Sequence, residues 1–195
     1  ILLRYLLPHD IAESQIGIYG ACYKISILMT IFIQAYKYAA EPFFFSYAKE
    51  KDAKQTYADL MTYFIIATSL IFLATTLFLD VALLMIGRDF REGKEIIPIL
   101  LMANLFLGVF YNLSIWYKLT NKTRFGAYIA IMGAVITLTL NLILIPRIGY
   151  VGSAWATLFC YGIMMVISFA LGQKYYPIPY NFKRIVMYLA VAVGI

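Results

Sequence analysis

Three charged residues, Lys24, Lys37 and Glu41, stand inside residues 15–48, a stretch otherwise suited to hydrocarbon. In a low-dielectric setting an ammonium is a strong partner for an anion, and a carboxylate for a cation. Placed on a helix with Lys24 at zero, Tyr19, Tyr23, Ser26, Thr30, Gln34, Lys37 and Glu41 all fall between about 200° and 280°. The remaining circumference is Ile, Leu, Met, Phe, Ala and Tyr, with Lys24 standing alone among them. A narrow polar stripe on such a helix suits a membrane span that turns one face to a protein interior or a wet cavity.

The two lysines lie 13 positions apart, ~20 Å along a helix axis. A hydrocarbon core of ~30 Å would just let both ammonium groups snorkel to opposite interfaces. Lys37 and Glu41 are also four apart and can pair along the helix, in the weaker lysine-first order. Lys24 has no acid within one turn. Either it snorkels outward, or it meets an anionic group from another helix or from a ligand.

Enzyme signatures are missing. His9 is the single histidine, so histidine-based triads and histidine-rich metal sites have no support. No GxSxG, P-loop or GxGxxG motif occurs, and so nothing calls for a cofactor. Cys22 and Cys160 fall inside apolar runs without CxxC spacing and read as small core residues. The acids of 89–95 alternate with bases, which is the pattern of a hydrated loop.

The elements that must position these residues are helices. With 63% hydrophobic and 13% charged residues and a mean hydropathy of +0.81, the chain is an all-α, polytopic membrane bundle rather than a water-soluble domain. Its net charge of +6 sits between apolar runs, which argues for membrane orientation and against nucleic-acid binding. The stripe-bearing stretch gives a span at 15–48, and uncharged runs mark further full spans at 57–80, 96–118, 123–146 and 150–173. Each is long enough to cross ~30 Å at ~1.5 Å per residue. Residues 1–8 read as the tail of a helix closed by Pro8, followed by a loop at 8–15. Residues 174–195 read as a loop and the start of a further span. The chain therefore reads as part of a longer membrane protein.

Lysine and arginine set the orientation. The loops at 49–55, 118–124 and 174–184 hold nine, against five on the other side (Arg4, Arg88, Arg91, Lys94 and Arg147). The richer side is expected to face the cytoplasm. Small residues mark packing faces: Gly126, Ala130 and Gly133 on one helix, Gly152 and Ala156 on the next. Asn104, Gly108, Tyr111 and Lys118 share a further face. Asn104 and Asn141 either pack there or line a cavity, since an amide in lipid needs a partner.

The segment NLILIPRIGYVGSAWATLFCYG (141–162) resembles a recurrent pattern of the polysaccharide-flippase branch of the multidrug/oligosaccharidyl-lipid/polysaccharide exporter superfamily. In that pattern an Asn-bearing apolar helix ends in Ile-Pro, crosses a very short loop and restarts with small residues. GIYGACYK (17–24), EPFFFSYAKEK (41–51) and residues 92–119 look like the same family's second-lobe helices. The resemblance implies that residues 1–173 are most of the C-terminal lobe of a two-lobe, alternating-access transporter of the bacterial inner membrane. Its partners would be membrane lipids, the N-terminal lobe and an undecaprenyl-diphosphate-linked oligosaccharide. It implies no cofactor, with an ion gradient or the membrane potential as candidate driving force. Lys24, Arg4 and Lys37 would meet the diphosphate, while Gln34, Tyr23 and Asn104 would bond sugar and Glu41 would complete the cavity. Two other classes remain beside it: an exporter of small cations on the same fold, and a membrane glycan polymerase or acyltransferase.

Overall fold

The computed structural model describes residues 2–194, with the side chains of His9, Asp10, Met85, Phe182 and Val193 outside that description. The described residues form an all-α bundle. In chain order come α1 (Leu2–Leu6), α2 (His9–Tyr47), α3 (Ala53–Leu77), α4 (Leu79–Ala82), α5 (Ile96–Leu113), α6 (Ile115–Leu119), α7 (Arg124–Tyr175) and α8 (Phe182–Gly194). Two 3₁₀ segments, Leu83–Met85 and Arg88–Glu95, join α4 to α5.

Pro8 adopts an extended backbone (φ −54°, ψ 142°) and separates α1 from α2. The expected loop at 8–15 is instead helix. Nothing in DIAESQ breaks a helix once Pro8 has been passed. At 39 residues, α2 is ~58 Å long, so it must tilt or project beyond a ~30 Å hydrocarbon layer.

Among the described residues, four helical stretches are long and apolar enough to cross a membrane: Ile11–Tyr47, Ala53–Leu77, Arg88–Leu119 and Arg124–Tyr175. The last contains two of the five expected spans. Its 52 residues turn back at Ile148 (φ −133°, ψ 17°) and Gly149 (φ 60°, ψ −139°). Pro146 withdraws a backbone donor just before the turn, and Gly149 takes a positive φ that an L side chain resists. The two arms then pack together: Cys160 Sγ lies 3.2 Å from the Gly133 carbonyl oxygen. A Cβ on Gly152 would sit 2.7 Å from the Leu144 carbonyl carbon. Close backbone approach of this kind is what small-residue spacing permits.

The most enclosed element is α5, not α2. Two thirds (67%) of the apolar stretch of Arg88–Leu119 is buried, against 33% for Ile11–Tyr47. Ile96, Ile97, Leu100, Leu101 and Leu105 are essentially inaccessible. α5, which carries no charged residue, takes the centre, whereas α2, carrying three charges between residues 15 and 48, keeps one side outside. Residues 89–95, expected to be a hydrated loop, lie in the 3₁₀ segment Arg88–Glu95, and the whole 81–95 connection is compactly wound. Leu83 and Ile86 are buried, and Gly93 packs against Ile18 and Cys22 of α2. Arg88, Asp89, Glu92, Lys94 and Glu95 remain exposed.

Candidate functional site

From Ser26 to Glu41 the polar stripe of α2 is packed along α5 and α6. Ser26 is fully buried, and its carbonyl oxygen accepts a bond from Asn104 Nδ2 at 3.4 Å. Eleven residues on, the Lys37 ammonium lies 4.6 Å from the centre of the Tyr111 ring. Next, Glu41 Oε1 pairs with Lys118 Nζ at 2.7 Å. Positions 26, 37 and 41 therefore meet 104, 111 and 118 in the same order, so the two helices run parallel. The Lys37–Glu41 pair expected along α2 is replaced by Glu41–Lys118 across helices. The Lys-to-Glu order within a helix gives only a weak pair, and Lys118 reaches Glu41 from the neighbouring helix.

Beside this seam, Tyr36 Oη donates to Asn112 Oδ1 at 2.8 Å. Thr30 Oγ1 and Asn112 Nδ2 are buried without a hydrogen-bond partner. Gln34 is half-buried on the same side, and Tyr23 is exposed at 38%, stacked on Tyr19 at 6.2 Å. Arg4, on α1, is exposed. Asn104 is committed to the interior, so of the expected sugar-bonding residues only Tyr23 and Gln34 keep accessible surface.

Lys24 is placed differently. Ile18, Cys22, Ile25, Met29 and Ile33 form the buried face of α2. Lys24 points about 140° away from the centre of that face, among exposed Ile27, Leu28 and Ile31. It borders a groove of about 620 Å³ between α2 and the 82–90 segment, lined by Gly17, Gly20, Ala21, Ile86 and Phe90 among others. Lys24 is the one charged residue of that lining. Its ammonium forms no ion pair with the described residues. The groove exists because Gly17 admits the Phe90 ring and Gly20 leaves open space above its Cα.

Comparison with protein-family models, curated proteins and solved structures finds no match for this chain.

The structure thus sorts the candidates into two groups. Lys37, Glu41 and Asn104 belong to the α2–α5 seam. Lys24, Tyr23 and Arg4 lie on surfaces that these residues leave open. Sequence inspection missed two connections. Gln15 Oε1 accepts from Tyr150 N at 2.9 Å, capping the second arm of α7. Lys118 reaches Glu41. The second had a visible signal, since Asn104, Tyr111 and Lys118 repeat every seven residues and match the polar stripe. Nothing local marks the first, because its partners are 135 positions apart.

Proposed function

We propose that this chain supplies one lobe of a flippase that moves undecaprenyl-diphosphate-linked oligosaccharide across the bacterial inner membrane by alternating access. The observation carrying the proposal is Lys24: an unpaired ammonium in the middle of a long apolar helix, at the edge of an apolar groove. A charge at the centre of a membrane helix costs about 2.5–3.5 kcal/mol. An anion passing through would offset that cost. A diphosphate is such an anion, and the groove beside it suits the hydrocarbon of an amphiphile.

Transport of a dianion outward also agrees with a membrane potential that is negative inside, which contributes about 2.3 kcal/mol per charge per 100 mV. An exporter of small cations is less well supported, because Glu41, the acid within the span, is already held by Lys118.

The test replaces Lys24 by Ala, Glu and Arg in cells whose surface polysaccharide depends on this protein. Lys24→Ala and Lys24→Glu are expected to stop polysaccharide reaching the surface and to build up lipid-linked intermediate inside, while Lys24→Arg retains transport. Normal surface polysaccharide in both the Ala and Glu strains would refute the role given to Lys24.

A further inference from the structure

A second feature needs only the membrane character of the chain and stands independently of the flippase reading. α8 packs against α3, and both helices begin on the lysine-rich side expected to face the cytoplasm. The loops that precede them meet there, with Lys54 Nζ 4.8 Å from the centre of the Tyr176 ring. At that end a groove of about 360 Å³ opens between the two helices, lined by Gln55, Asp59, Tyr63, Asn181, Arg184 and Tyr188 among others. Its size is in the range of ~300–1,000 Å³ found for small-molecule sites.

The two walls carry opposite chemistry. On the α3 wall, Asp59 Oδ1 accepts from Gln55 Nε2 at 3.1 Å. That leaves Asp59 Oδ2 and Gln55 Oε1, which can only accept. On the α8 wall, Asn181 Oδ1 accepts from Arg184 N at 3.3 Å. That leaves Asn181 Nδ2 and the Arg184 guanidinium, which can only donate. Asp59 and Arg184 share the groove, yet neither forms an ion pair with the other or with another described residue. The two charges cancel in sum while neither is matched in place. An occupant that satisfies both walls carries an anion and an N–H-bearing cation side by side.

The surface leading away from the groove shows what kind of molecule this is. On α3, Asp59, Tyr63, Ile66, Leu70 and Leu77 fall within about 60° of one another, and Tyr63, Leu70 and Leu77 are exposed. On α8, Arg184, Tyr188 and Val191 also fall within about 60°, and Val191 is exposed. Each stripe is charged beside the loops and apolar beyond them. From Asp59 to Leu70 is ~16 Å along the axis, about one leaflet of a ~30 Å hydrocarbon layer. A headgroup at the interface with a chain running inward has this profile. An anionic headgroup would meet Asp59 as a like charge. A choline headgroup brings both charges, but its quaternary nitrogen has no N–H for Asp59 and Gln55.

We propose that the α3–α8 groove binds phosphatidylethanolamine of the cytoplasmic leaflet. Arg184 and Asn181 hold the phosphate, Asp59 and Gln55 hold the ammonium, and an acyl chain lies along Ile66 and Leu70. The hydrogen bonds involved are charge-assisted, and the start of α8 adds a favourable helix dipole for the phosphate.

The test offers the purified chain in detergent dioleoyl-phosphatidylethanolamine, -phosphatidylcholine or -phosphatidylglycerol and counts bound lipid by native mass spectrometry. One phosphatidylethanolamine should be held about three- to tenfold more tightly than either other lipid. Asp59→Asn keeps an acceptor for Gln55 but leaves the lining positive, so the preference should pass to phosphatidylglycerol. Arg184→Gln should weaken phosphatidylethanolamine binding about three- to tenfold. Both side chains are exposed, so each variant should keep the lipid-free Tm to within about 2 °C. Free phosphoethanolamine, which has no chains, should bind far more weakly than the lipid. Equal binding of the three lipids, tighter phosphatidylglycerol on the unmodified chain, or an ethanolamine preference that survives Asp59→Asn would each overturn the proposal. Phosphoethanolamine binding as tight as the lipid's would overturn the membrane as the source of the ligand.

Discussion

Replacing Gly149 with alanine tests how the reversal of α7 is built. The residue has φ 60° and ψ −139°, a region that only glycine adopts without strain; a side chain there costs about 1–3 kcal/mol. A second contribution comes from Gln15. A Cβ at 149 would collide with Gln15 Oε1 and lie 3.0 Å from Cδ and Nε2. The Gln15 side chain must then leave, and its 2.9 Å bond from Tyr150 N is lost. A bond of this kind contributes about 0.5–1.5 kcal/mol. Together Gly149→Ala should destabilise the chain by about 2–4 kcal/mol, a Tm drop on the order of 5–15 °C for a chain of this size. Gln15→Ala alone should cost only the hydrogen-bond share. The two are not additive: once alanine has displaced Gln15, removing its side chain loses nothing more, so the double variant should match Gly149→Ala to within about 0.5 kcal/mol. Thermal or denaturant unfolding in detergent measures all three. Strict additivity, or a Gly149→Ala cost under about 0.5 kcal/mol, would show that neither the backbone strain nor the Gln15 cap operates as argued.

Other substitutions probe the remaining contacts. Gly93→Ala would drive a methyl into Ile18 and to 2.8 Å from Cys22 Sγ, and overpacking of about 1–3 kcal/mol is expected in the same unfolding assay. Gly20→Ala meets nothing within 4 Å and should be neutral or stabilising by up to about 1 kcal/mol, as for any unobstructed helical glycine; a loss would mean the groove beside Lys24 is filled by protein. Tyr57→Phe removes a buried 2.7 Å bond to the Phe44 carbonyl oxygen and should lower stability by about 0.5–1.5 kcal/mol. For Glu41–Lys118, side-chain exposures of 38% and 25% call for a double-mutant coupling of only about 0.2–1 kcal/mol.

Much of the fold was readable in advance because bilayer physics acts on composition. Uncharged runs of sufficient length must be helices, and Pro146 with Gly149 marks where one of them doubles back. The hydrated character expected of 89–95 holds for Asp89, Glu92, Lys94 and Glu95, which stay exposed. What charge spacing could not reveal is that Gly93 packs onto Ile18 and Cys22 of α2 and that Leu83 and Ile86 are buried. The polar stripe was located correctly, and its inner part faces protein interior, one of the two surroundings expected for it. Periodicity shows that Ser26, Thr30, Lys37 and Glu41 share a face of α2; it is silent on whether water or another helix faces them.

The residue string alone therefore determined helical spans, a one-sided polar stripe and an isolated Lys24, since each follows from 3.6-residue periodicity and the free-energy cost of charge in hydrocarbon. Only the tertiary structure decided that α5 occupies the centre, that Glu41 belongs to Lys118, and that Lys24 stands outside the packed face. Partner choice depends on which helices approach and in which direction. That is settled by contacts such as Gly93 on Ile18 and Cys22 and Lys118 on Glu41, between residues far apart in the chain.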